Sequence, residues 1–112
     1  MPTTYKVLAQ AALTSTATVD LYAVPGGTQA VTSTLVVCNR ATANASYNIA
    51  IRPAAATLSN QHYIAFNTAI PANDSITLTI GMTLGNTDVI TVQGNTTAVN
   101  NLGFTLFGSE VT

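Results

Sequence analysis

Residues 20–40 read DLYAVPGGTQAVTSTLVVCNR. An alternating apolar run enters a Pro-Gly-Gly turn, and a longer alternating run leaves it and stops at Asn39-Arg40. Proline presets φ and glycine accepts φ > 0, so Pro25-Gly26-Gly27 turns the chain between two strands. The stretch has two chemical readings. It is the mouth of a site with Cys38 as nucleophile and Arg40 as anion clamp, or it is one hairpin of a shell that does no chemistry.

Outward from this stretch the same pattern repeats. β-Branched residues are abundant and suit a pleated, half-buried surface. Alternation and turn chemistry predict eight strands. They are Tyr5–Ala12; Thr18–Val24, with Val19, Leu21 and Ala23 on one face; Gln29–Asn39, with Val31, Leu35 and Val37 opposed to Ala30, Val36 and Cys38; and Ala45–Arg52, with Tyr47, Ile49 and Ile51 inward. Pro53 stops the fourth. Then come Gln61–Ala69, where Ile64 and Phe66 alternate with Tyr63 and Ala65; Ser75–Ile80, with Ile76, Leu78 and Ile80 inward; Asp88–Gln93; and Leu102–Phe107, with Leu102, Phe104 and Leu106 inward. Turn-rich stretches at Pro71–Asp74, Gly85-Asn86 and Gly94–Asn101 separate them. Eight short strands predict an all-β fold, an eight-stranded antiparallel β-sandwich or jelly roll, in one domain over residues 1–112.

Charge is the unusual feature. Of 112 residues only Lys6, Arg40, Arg52, Asp20, Asp74, Asp88 and Glu110 are charged, which is 6%. Ordinary soluble domains carry about 25%. A monomer of this length exposes roughly 5,800 Å². That leaves one charge per ~800 Å², about what one partner buries in a standard interface. With a net charge of -1, such a surface has weak protection against self-association. Much of it is expected to be covered by subunits. Three cations are too few for a phosphate-tracking face, so no nucleic acid is expected. No run approaches the roughly 18 apolar residues of a membrane helix, and MPTTYKVLAQAALTST lacks a signal-peptide shape.

The reactive side chains are scattered. Cys38 is the chain's only cysteine and sits mid-alternation, so it reads as a small buried hydrophobe. A nucleophile needs a base beside it, and the lone His62 lies on another strand. One Cys and one His fall short of a four-ligand metal site. Asp20, Asp74 and Asp88 fall at strand starts or turns, where aspartate bonds to local backbone. No catalytic residues, metal or cofactor are therefore expected. Thr14/Thr16/Thr18, Thr32/Thr34 and Thr77/Thr79 form no fixed-period ladder of the ice-binding kind. The matches to glycosylation acceptors at Asn44, Asn73 and Asn95 read as chance in a Thr/Asn-rich chain. Four tyrosines without tryptophan read as packing residues before a sugar platform.

The ordered series LYAVPGGTQAVTSTLVVCNR, YNIAIRPAAATLSNQHYIAF, IPANDSITLTIGMTLGNTDVITV and FTLFGSE resembles a group of small bacteriophage virion proteins, familiar from phages of cyanobacteria and other aquatic bacteria. The resemblance runs from Tyr5 to Glu110. It implies a structural, non-enzymatic protein of the phage particle and carries no catalytic residues. A short chain without fibre repeat or coiled coil then points to a capsid cement or decoration protein on the capsid exterior. Its expected partners are the major capsid protein and itself, as a homotrimer. The alternative is a tail, neck or fibre component that attaches to the host.

Overall fold

A computed structural model of the chain describes residues 3–79, 81–95 and 102–112. Its strands are β1 (Thr3–Ala12), β2 (Val19–Ala23), β3 (Gln29–Asn39), β4 (Ala45–Arg52), β5 (Tyr63–Ile70), β6 (Asp74–Leu78), β7 (Thr83–Leu84), β8 (Val89–Gly94) and β9 (Leu102–Val111). Every pairing is antiparallel. The first sheet runs β1-β9-β3-β6 with β7 beside β3, and the second runs β2-β8-β4-β5. The chain thus winds back and forth between two sheets, in the double Greek-key order of a jelly roll. The all-β sandwich is as expected. The two-residue β7 adds a ninth strand that alternation could not reveal.

Alternation explains the core. Leu35 and Val37 of β3 and Leu102, Phe104 and Leu106 of β9 are buried in the first sheet. Tyr47 and Ile49 of β4 and Ile90 and Val92 of β8 are buried in the second, and all join one cluster. Tyr47 and Phe104 meet edge to face across the layers, with ring centroids 6.0 Å apart. Burying each large aliphatic side chain contributes about 1.5–3 kcal/mol, so these rows hold the two sheets together.

The Pro-Gly-Gly turn is not a hairpin. The Thr28 N–H donates to the Pro25 carbonyl at 3.2 Å, and Gly27 takes a φ of 75°. The turn nevertheless joins β2 of the second sheet to β3 of the first, so it is an arch between layers.

Bulges correct several predicted faces. The β2–β8 register shifts between Asp20 and Tyr22, so Leu21 and Tyr22 are both buried while Ala23 is exposed. Against β9, β3 shifts between Thr32 and Thr34. The extra residue, Ser33, inverts the parity before it. Ala30 and Thr32 are buried and Val31 is exposed, whereas Leu35 and Val37 keep the inward face. Gln61 belongs to a short turn, Asn60–His62, before β5. Ile64 and Phe66 are exposed and alternate with the partly buried Tyr63 and Ala65, as read from the sequence. Ile76 and Leu78 pack on the core as expected. Ile80 and residues 96–101 lie outside the described residues.

Asn39 closes β3. Its buried amide donates to the carbonyls of Ala43 at 3.0 Å and Pro71 at 3.2 Å and accepts the Ala41 N–H at 3.0 Å. One side chain thereby holds two neighbouring loops.

Candidate functional site

Directly opposed residues in a sheet share a face. On the outer face of the first sheet the register gives five rows. They are Thr3–Val111–Gln29, Tyr5–Ser109–Val31–Thr83, Val7–Phe107–Thr34, Gln10–Thr105–Val36–Thr77 and Ala12–Gly103–Cys38–Ser75. No charged residue stands in these rows. Tyr5 is 83% exposed, and Val7, Val31 and Phe107 are exposed beside it. Exposed apolar groups gathered on one face mark interaction surfaces.

The backbone explains why the apolar groups stand out here. Leu8 is the extra residue of a bulge opposite Leu106-Phe107, and Ser33 that of a bulge opposite Phe107-Gly108 on the other side of β9. Gly108 lies beneath. A Cβ there would collide with the Val31 carbonyl oxygen and come within 2.9 Å of Leu8 Cδ1 and Thr32 Cα. Absence of that Cβ lets the β3 and β9 backbones close up and makes room for the Leu8 side chain, and bulges re-aim side chains. Tyr5, Val31, Ser33, Phe107 and Ser109 border an open depression of about 540 Å³, with Lys6 at its edge.

Charges near this sheet turn the other way. Lys6 belongs to the inward row Lys6–Gly108–Thr32, and Glu110 to the inward row Thr4–Glu110–Ala30. Lys6 Nζ reaches Glu110 Oε1 at 2.8 Å. The Tyr22 hydroxyl of the second sheet donates to Glu110 Oε2 at 2.5 Å. The Lys6 ammonium, then the Tyr22 hydroxyl, hold the Glu110 carboxyl below the usual carboxylate range. Burial, then the bond to Glu110, pushes the Tyr22 phenol well up.

The second sheet presents the opposite chemistry. Arg52 Nε donates to Thr91 Oγ1 at 3.0 Å, and its guanidinium also pairs with Asp20 at 2.9 Å. Asn48 donates to Gln93 Oε1 at 3.0 Å, and Asn95 donates to Asn48 Oδ1 at 2.7 Å. Asn48 and Thr91 are buried, and these polar groups satisfy one another. The second sheet also carries two exposed apolar residues, Ile64 and Phe66, on its edge strand β5.

The residues singled out by sequence are only partly brought together. Cys38, Asn39, Arg40, Asn73, Asp74 and Ser75 line a shallow depression of about 350 Å³. Cys38 is half-buried on the outer face rather than a core spacer. His62 is buried by the turn before β5, and its Nδ1 accepts the Ser59 N–H at 3.1 Å. Asp88 accepts the N–H groups of Ala54 at 2.9 Å and Gly85 at 2.8 Å, and Asp74 accepts that of Ser75 at 2.8 Å. Asp74 thus serves local backbone as expected, and Asp88 bonds backbone both nearby and at Ala54, whereas Asp20 meets the Arg52 and Thr91 side chains instead. Among the described residues no three His, Cys, Asp or Glu side chains form a metal-sized group. Thr32 faces inward and Thr34 outward, so that pair forms no ladder.

Sequence reasoning missed the charge-free face itself. Tyr5/Val7 and Phe107/Ser109 alternate with Lys6 and Glu110, and this was the available signal. Only the β1–β9 register shows that both alternations fall on the same sides.

No family model and no curated protein matches the chain. Among solved structures it is similar to one described as "Structure of infectious bursal disease virus Gx strain", at 10% identity and a TM-score of 0.46. The match covers 97% of this chain and 30% of that one. None of these comparisons reproduces the resemblance to bacteriophage virion proteins.

Proposed function

We propose that the chain is a non-enzymatic structural subunit of a virus particle, a bacteriophage capsid cement or decoration protein on the capsid exterior. It seats the outer face of the first sheet on adjacent major capsid subunits and clusters as a homotrimer where capsomers meet. The observation that carries this is the charge-free face bearing Tyr5, Val7, Val31 and Phe107, backed by a second sheet whose polar groups are already satisfied. The charge scarcity of the chain and its resemblance to small phage virion proteins support the same reading. Burial of apolar surface contributes about 25 cal/mol per Å² before association costs are met. A contact of about 800 Å² per partner is enough for a specific interface. Bridging neighbouring capsid subunits in this way resists outward pressure on the shell.

Quantitative mass spectrometry of purified particles tests the assignment. Hundreds of copies per particle are expected. A few dozen or fewer would place the chain in a tail, neck or fibre instead. Native mass spectrometry of the isolated chain tests the trimer, and a monomer that still binds empty shells would remove the trimer alone.

A further inference from the structure

β5 is the outer strand of the second sheet, and its pairing with β4 slips twice. Ala50 opposes Tyr63 and Ile49 opposes Ala65, which leaves Ile64 as an extra residue. Tyr47 then opposes Thr68, so Phe66 and Asn67 together face Asn48. Asn67 takes a φ of 53°, and its N–H donates to Asn48 Oδ1 at 2.6 Å. A non-glycine residue held in the left-handed region needs surrounding structure to keep it there. The consequence is a re-aimed aromatic. Phe66 stands 67% exposed. Tyr63 meets it at 77°, with ring centroids 5.0 Å apart. With Asn60 the two rings line a cleft of about 360 Å³.

We infer that this cleft is a carbohydrate-binding subsite for one neutral pyranose ring. Two rings near a right angle offer a floor and a wall. The C–H face of a pyranose stacks on an aromatic face, and its hydroxyls need nearby donors and acceptors. The Asn60 amide supplies both. No charged residue lines the cleft, so a neutral sugar fits better than a sulfated or acidic one. The register fixes the Phe66 backbone and the Tyr63 ring packs against its side chain, which lowers the ordering cost of binding. The cleft lies on the second sheet, away from the charge-free face, and stays open when the first sheet docks. The inference does not depend on the capsid assignment.

The test is saturation-transfer NMR and titration of the purified full chain with methyl glycosides of glucose, galactose and mannose and with N-acetylglucosamine. At least one sugar is expected to bind with a dissociation constant on the order of 1 mM, with the strongest transfer to ring protons of one face. Phe66→Ala and Tyr63→Ala should each weaken binding at least about tenfold, while Phe66→Trp retains it. An unchanged circular dichroism spectrum checks that the variants fold. Absence of transfer from all of these sugars would overturn the inference. So would binding that survives Phe66→Ala in the folded protein. Phe66→Ala should leave the copy number on particles unchanged, which separates this site from the docking face.

Discussion

The Tyr22 hydroxyl donates to Glu110 Oε2 at 2.5 Å, tying β2 of one sheet to β9 of the other at one end of the sandwich. Lys6 completes the group at 2.8 Å. The folded state lowers the Glu110 pKa, so the unfolded chain binds more protons in acid. The contribution is present above the ordinary carboxylate pKa of about 4.3 and is lost as pH falls through the lowered folded value. Tyr22 acts on the alkaline side. Its raised pKa gives a contribution intact below about 10 and lost as pH climbs towards the folded value. Glu110→Gln should lower stability at neutral pH by about 1–3 kcal/mol and flatten the acid limb. Thermal melts across pH check both effects. An acid limb unchanged in the variant would show that other groups control it.

Gly108→Ala is expected to destabilise by roughly 2–4 kcal/mol. The new methyl would strike the Val31 carbonyl oxygen, which is backbone in a paired strand and cannot swing aside. Denaturant titration reads the loss. A variant within about 0.5 kcal/mol of the parent would mean that β3 and β9 are not this close.

Tyr47 carries a buried hydroxyl with no hydrogen-bond partner among the described residues. Burial pushes its pKa up. Removing an unpaired polar atom from the core relieves a desolvation cost, so Tyr47→Phe should be neutral or stabilising by up to about 1 kcal/mol. A clear drop in melting temperature would reveal a bonded hydroxyl.

Cys38 faces outward and is half-buried. A maleimide should label it in the native state, at a rate below that of a free thiol. Cys38→Ser should cost less than about 1 kcal/mol and leave shell binding intact. Labelling seen only after unfolding would return Cys38 to the core. Loss of function in a folded Cys38→Ser variant would reopen a chemical role.

The bounds of β3 and β4 and the inward row Leu102, Phe104 and Leu106 were legible from alternation, because the core selects one face of each strand. Alternation lost its way at the bulges. Thr32, Ser33 and Thr34 are equally polar, so nothing in their order marks Ser33 as the extra residue that turns Val31 outward. Pro25-Gly26-Gly27 fixes local dihedral angles, but its chemistry is the same whether the next strand pairs with the last or crosses to the other sheet. Charge scarcity was plain from composition alone. Which face lacks charge depended on the β1–β9 register, which sets Lys6 and Glu110 in the inward rows. The Tyr63–Phe66 cleft was hidden for the same reason, since nothing in the order of β5 marks which of its residues are extra against β4.

Hydroxyl-radical footprinting of assembled particles against the isolated chain tests the docking face most directly. Tyr5 and Phe107 should oxidise readily in the isolated chain and be protected in the particle, while Tyr63 and Phe66 react alike in both. Equal oxidation of Tyr5 and Phe107 in both states, or protection confined to Tyr63 and Phe66, would contradict docking through the outer face of the first sheet.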